Sequence, residues 1–258
     1  NMVDKIKSIE KKYGFELFFA GHALRLEEIL EDPDAGEVSA LVMPYWQSRQ
    51  RALESYIRSV HELYVATLIA DALDAKTVYH MTSDGKPYWW IENASEYSTA
   101  ILETASGKRV TLWYQFSLKK WFDVVREGLY EAMFETSEEE TSKHKPGKKT
   151  RQYVKPDIMI FEGEYRNREE LAKKKPEKAI LIDAKIYMTD NDLIQLEEYV
   201  KNFREAFGGN VVHIVACLET IPLSYKLRLQ RTGHYVIENV APKAKGEEEF
   251  KELIRRLI

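Results

Sequence analysis

The sequence predicts an α/β protein with a mixed central β-sheet flanked by helices, preceded by a mostly helical extension. Three observations carry this. Apolar, strand-like runs at 153–161, 179–187 and 210–218 surround a helix-like stretch at 191–207 that stops at Gly208-Gly209. Shorter strand-like runs flank turn signals upstream, at Ser83-Asp84-Gly85 and Ala105-Ser106-Gly107-Lys108. Helix-period runs occupy both ends of the chain. At 258 residues, one large domain with a small appendage fits, so residues 2–43 are taken as the extension and 44–258 as the main domain.

Residues 2–13 read as a helix with Gly14 as its stop. Run 15–20 is too short to assign. Residues 22–31 read as a second short helix, ended by Asp32-Pro33-Asp34. Pro44 opens a long helix to about Ala75, in which Trp46, Leu53, Ile57, Val60, Tyr64 and Leu68 recur near the helical period. Beyond Glu62 almost no polar face remains, so the helix enters the core at about that position. Strands follow at 76–80 and 86–91, and 99–104 with 109–116 reads as a hairpin. Residues 118–134 are helix-like, with Trp121, Val124, Val125, Leu129 and Phe134 on one side. The tract 136–150, with four lysines, Pro146 and Gly147, reads as a mobile loop. Residues 166–175 read as a charged connection and 247–258 as a terminal helix. The succession strand, helix, strand over 179–218 predicts a parallel pair joined by a right-handed crossover.

Composition bounds the function. No apolar stretch is long enough to span a membrane, and the amino terminus lacks the apolar run of a signal peptide. Together with a single cysteine, Cys217, which reads as a core thiol, this predicts a cytoplasmic protein without an intrachain disulfide. The net charge of −4 argues against a uniformly basic surface, although basic residues cluster at 143–155 and 173–178. Many Lys and Glu with little Cys is the composition of a heat-loving source. There is no Walker A pattern and so no ATP motor. His61, His144, His213 and His234 make no metal-ligand spacing and read as structural or solvated. Trp89, Trp90, Trp113, Tyr114 and Trp121 read as core rather than as base-stacking platforms. Glu162 reads as the start of a turn.

Four features bear on chemistry, and each has a plain structural reading when taken alone. Asp157, after Pro156, is either a strand-start turn residue or a placed carboxylate. In Ile180-Leu181-Ile182-Asp183-Ala184-Lys185-Ile186, strand alternation points Asp183 and Lys185 to one side. Buried, they form a structural ion pair or a working site, because an unpaired buried charge is costly. Gln195 and Tyr199, four residues apart, share one helix face. Glu62 stands where the long helix turns apolar, as a boundary residue or as a fourth member of the set.

In that order the four resemble the signature of the PD-(D/E)XK nuclease superfamily. Gln195-Leu196-Glu197-Glu198-Tyr199 is similar to the Q-x-x-x-Y element of RecB- and Cas4-like members. His61-Glu62-Leu63-Tyr64-Val65 resembles their glutamate helix, and Val110-Thr111-Leu112-Trp113-Tyr114-Gln115 is loosely similar to a strand of McrC-like restriction subunits. The resemblance spans about 44–218. It lacks the extra cysteines of Cas4-type proteins, so no iron–sulfur cluster is expected.

The resemblance implies a restriction-endonuclease-like fold and a nuclease dependent on Mg²⁺ or Mn²⁺ that hydrolyses DNA phosphodiesters, an endonuclease of restriction or mobile-element type. Carboxylate oxygens suit such hard ions. Asp157 and Asp183 are expected to hold the metal, with the Ala184 carbonyl as a third donor and Glu62 bound directly or through water. Lys185 is expected to orient the attacking water and stabilise developing charge. Gln195 and Tyr199 are expected to position Lys185 or a phosphate oxygen. Expected partners are DNA ahead of RNA and no membrane, with room for a second copy of the chain and for a separate targeting or motor subunit. The alternative from another class is a catalytically silent nucleic-acid-binding or assembly module on the same fold.

Overall fold

A computed structural model describes residues 1–14, 49–81, 98–116 and 156–258, with Phe19, Gly21, Ala23, Leu24 and Glu27, and without the side chains of 49–52, 198 and 199. The expected strand at 86–91, helix at 118–134 and polar tract at 136–150 lie outside the described residues. The expected helix at 22–31 is described only at Ala23, Leu24 and Glu27.

Seven strands among the described residues form one sheet in chain order: β1 (Lys76–His80), β2 (Ala100–Glu103), β3 (Arg109–Tyr114), β4 (Ile158–Glu162), β5 (Ala179–Lys185), β6 (Val211–Cys217) and β7 (Tyr235–Ile237). β1 to β5 run antiparallel, and β6 and β7 are each parallel to the strand before. The sheet is therefore mixed, as expected. The hairpin is β2–β3, closed at Gly107, whose φ of 78° lies in the left-handed region. The predicted parallel pair is β5–β6.

Alternation sorts the side chains of β5. Ile180, Ile182 and Ala184 face a layer of three helices: α1 (Met2–Tyr13), α2 (Arg49–Leu73) and α6 (Lys245–Leu257). Leu181 faces the other way, onto α4 (Asp190–Phe207), through Phe203. Farther along that face, Val215 and Cys217 of β6 meet Leu193 and Leu196 of α4 and Leu229 of α5 (Leu223–Arg231). Cys217 is fully buried, which raises its thiol pKa to about 11 and fits the core reading.

α2 carries the change of face that the sequence predicts: Leu53 and Arg58 are exposed, whereas every residue from Val60 to Ala70 is buried. α1 is capped by Asn1, whose side chain accepts the Asp4 amide at 2.9 Å, and buries Ile6 and Ile9 in the same core as α2. A buried ion network ties the helical layer together: Lys251 of α6 reaches Asp71 of α2 at 3.2 Å. The charged stretch after β4 contains a short helix, α3 (Arg168–Lys174), started by an Asn167 cap. Its Arg168 guanidinium lies over the rings of Trp113 and Phe116, at 5.5 and 5.2 Å. α5 and β7, which have no counterpart in the sequence reading, extend the sheet by one parallel edge strand.

Candidate active site

The site forms where the β4–β5 ladder ends. Ile158 pairs with Ile182 at the last rung, so Asp157 stands one step beyond, beside Asp183 and Ala184. Its side chain takes over from the ladder: Asp157 Oδ2 accepts the Ala184 amide at 2.8 Å. On the other side, the Gln115 amide donates to the Asp157 carbonyl at 2.7 Å. Gln115 has φ of 54°, a left-handed conformation that costs a non-glycine residue free energy and concentrates at functional positions. Asp157 is thereby held from both neighbouring strands.

Glu62 enters from α2. Its side chain is 7% exposed, and its Oε2 accepts the Tyr114 hydroxyl at 3.0 Å. Gln115 Nε2 donates to that same hydroxyl at 3.4 Å. Asp183, on β5, is 1% exposed. Its Oδ1 lies 3.6 Å from Lys185 Nζ, and its Oδ2 accepts His213 Nε2 at 2.8 Å. Lys185 also lies 3.9 Å from Asp192 Oδ1 and is 17% exposed, on the open side of the cluster.

The electrostatics tie these groups together. Burial raises the Asp157 carboxyl well above the ordinary carboxylate range, and the charges of Glu62 and Asp183 add to this against Lys185. Burial also raises Glu62, opposed by the Tyr114 hydroxyl, Lys185 and Arg58. Asp183 goes the other way: burial would raise it, but Lys185 and His213 outweigh burial and hold it low. Three carboxylates with one ammonium crowd negative charge in a buried place, expressed as the upward shifts of Asp157 and Glu62. A hard divalent cation fits that donor set. Among the described residues no group of three or more His, Cys, Asp or Glu side chains is placed to hold a metal ion. Mg²⁺ needs no such group, because it keeps several waters and takes one or two carboxylates.

The expected residues are thus distributed as follows. Glu62, Asp157, Asp183 and Lys185 act on one another electrostatically, and Ala184 joins them through its amide. Gln195 is half-buried on α4, and the Tyr199 side chain lies outside the described residues. The described contact from α4 to Lys185 comes from Asp192, which sequence reading passed over. Asp192 doubles as the reciprocal partner of Thr189 in the capping box that starts α4. Tyr114, Gln115, His213 and His234 were also not foreseen as members. His61 keeps its structural reading: its ring bonds the Val240 carbonyl at 3.1 Å.

No family model and no curated protein matches the chain. The Type IIF restriction endonuclease Bse634I with cognate DNA aligns at 10% identity and TM-score 0.40, over 92% of this chain and 86% of that one. A second structure of the Bse634I restriction endonuclease aligns at 9% identity and TM-score 0.38, over 90% and 85%. Likeness of this degree carries no weight for activity; the fold class rests on strand order and register.

Proposed function

We propose that the protein is a nuclease dependent on Mg²⁺ or Mn²⁺ that hydrolyses DNA phosphodiesters, with endonuclease action of restriction or mobile-element type. The observation that supports this is that Asp157, at the end of the β4–β5 ladder, feels the charges of both Glu62 and Asp183, with Lys185 acting on all three. Asp157 and Asp183 would hold the ion with the Ala184 carbonyl, and Glu62 would do so directly or through water. The bound ion would supply a water of lowered pKa and neutralise charge on the phosphate.

The chain's own residues do the rest. Asp183 stays ionised, because Lys185 and His213 favour its charged form. Asp157 and Glu62, which burial shifts upward, would be favoured in their charged form by a bound cation. Lys185 directs its ammonium to a phosphate oxygen or the attacking water, and Gln195 and Tyr199 position it. Exposed Arg58, four residues before Glu62 on α2, lies on the same helix face and can meet the DNA backbone.

The test is calorimetry with Mn²⁺ alongside cleavage of supercoiled plasmid in Mg²⁺ or Mn²⁺. Wild type should bind and cut, and Asp183→Ala should lose both. Metal binding unchanged in that variant would move the site elsewhere. Wild type that binds nucleic acid yet cuts neither DNA nor RNA with any metal would make it a silent module.

A further inference from the structure

Two histidines stand behind Asp183. His213 lies on β6, two residues before Val215, the parallel partner of Asp183, and so on the same sheet face. Its side chain is 1% exposed. Its Nε2 meets Asp183 Oδ2 at 2.8 Å, and its Nδ1 meets His234 Nδ1 at 2.5 Å. The two rings meet edge to face at 4.8 Å between centroids. His234 is 5% exposed and sits just ahead of β7, where its amide donates to the Leu229 carbonyl at 3.0 Å.

Proton counting fixes the donor to Asp183. Asp183 is ionised and can only accept, so His213 Nε2 must carry a hydrogen. Two facing Nδ1 atoms share a single hydrogen. His234 is neutral at neutral pH, because burial and then the neighbouring His213 lower its pKa to about 4. His213 is thus tied through Nδ1 to His234 and through Nε2 to Asp183, so both of its ring nitrogens are engaged. Oδ2 is occupied from behind, which leaves Oδ1 directed at Lys185.

We propose that His213, oriented by His234, is a positioning residue that locks the orientation of the Asp183 carboxylate, which would hold the catalytic cation. This rests on the nuclease reading above. A merely structural core histidine can settle for a single backbone partner, as His61 does with Val240. Here both partners are defined, and one of them is the carboxylate at the centre of the site. Partners of this kind fix ligand orientation, and their loss weakens metal affinity or activity by about 10- to 100-fold.

The test uses the full chain and three substitutions. In His213→Gln the amide nitrogen takes the place of Nε2 and still donates to Asp183. In His213→Asn the amide is too short to reach it. In His213→Leu no donor remains. Mn²⁺ affinity by calorimetry and plasmid cleavage as a function of Mn²⁺ concentration are both read, with a melting curve for each variant. Wild type must bind Mn²⁺ and cut; if it does neither, the nuclease reading itself has failed. Given a working wild type, His213→Gln should stay within a few-fold of it. His213→Leu and His213→Asn should lose about 10- to 100-fold in Mn²⁺ affinity, with the cleavage curve displaced to higher Mn²⁺. If His213→Leu does not fold, the comparison of Gln with Asn decides. Equal Mn²⁺ affinity in those two polar variants would overturn the proposal and leave His213 a core residue.

Discussion

A lysine beside buried carboxylates has no part in holding a cation, since like charges repel. Lys185 earns its place only if an anion approaches. At 3.6 Å from Asp183 Oδ1 and 3.9 Å from Asp192 Oδ1, it is held by two carboxylates but reaches solvent on its open side. Lys185→Ala should therefore leave Mn²⁺ affinity equal or slightly tighter by calorimetry. Plasmid cleavage should fall by about a hundredfold or more, the scale of one lost transition-state donor. Lys185→Arg should rescue poorly, because a planar guanidinium does not replace a compact ammonium. Cleavage by Lys185→Ala at the wild-type rate would show that β5 is not the catalytic strand. The neighbouring residues divide labour by environment. Asp183, flanked by two donors, is held low and stays charged, whereas Asp157 and Glu62, more desolvated than compensated, are shifted upward.

Among the elements, β5 was the most readable from sequence. Its apolar run with Asp183 and Lys185 at alternate positions announces both a central strand and a polar outlet on one face. α2 was readable because its polar face vanishes at Glu62. The residues that escaped did so for physical reasons. His213 is a single polar residue in an apolar strand, a pattern it shares with any satisfied core histidine, and its partner Asp183 is thirty positions away. Asp192 is the reciprocal member of the Thr189 capping box, and only folding reveals its other oxygen near Lys185. β7 is three residues long, too short for a periodic signal, and α5 lacks the side-chain cap that would mark its start. α2 also carries its own titration. Burial lowers His61 from 6.5 to about 4, so it is neutral when folded while its Nε2 bonds Val240 and joins α2 to the chain ahead of α6. Between those values the unfolded chain binds the proton and the folded one does not. The contribution is therefore complete above about pH 6.5 and lost as pH falls toward 4, a difference of about 3 kcal/mol. Urea unfolding of His61→Leu should show a flatter fall in stability from pH 7 to pH 4 than wild type. An identical slope would mean that His61 is protonated within the fold.

At the scale of the whole molecule, among the described residues three helices cover one face of the sheet and α4 and α5 the other, and Asp157 and Asp183 come together at the end of the β4–β5 ladder. Gathering them costs stability. Asp157 and Glu62 have folded pKa values above their ordinary ones, so above the ordinary carboxylate range the folded chain keeps protons that the unfolded chain releases. Their contribution is thus most favourable below that range and is lost as pH rises. Asp157→Asn removes the charge but keeps an oxygen for the Ala184 amide. The metal-free variant should be more stable than wild type by about 0.5–2 kcal/mol at about pH 8, with the difference shrinking as pH falls into the ordinary carboxylate range. The same variant should bind Mn²⁺ poorly and cut little or no DNA. Mg²⁺ should reverse the ranking, because a ligand that binds only the folded wild type raises its stability by mass action and the variant gains little. Since the cation favours the charged forms of Asp157 and Glu62, its stabilising effect on wild type should grow with pH. Binding should also release protons, seen as a calorimetric heat that changes with the ionisation enthalpy of the buffer. Melting curves with and without Mg²⁺ at about pH 6 and about pH 8, for both proteins, check every arm of this. A variant no more stable than wild type without metal would mean that Asp157 is already compensated in the folded chain, and that the carboxylate cluster carries no stored charge for a cation to relieve.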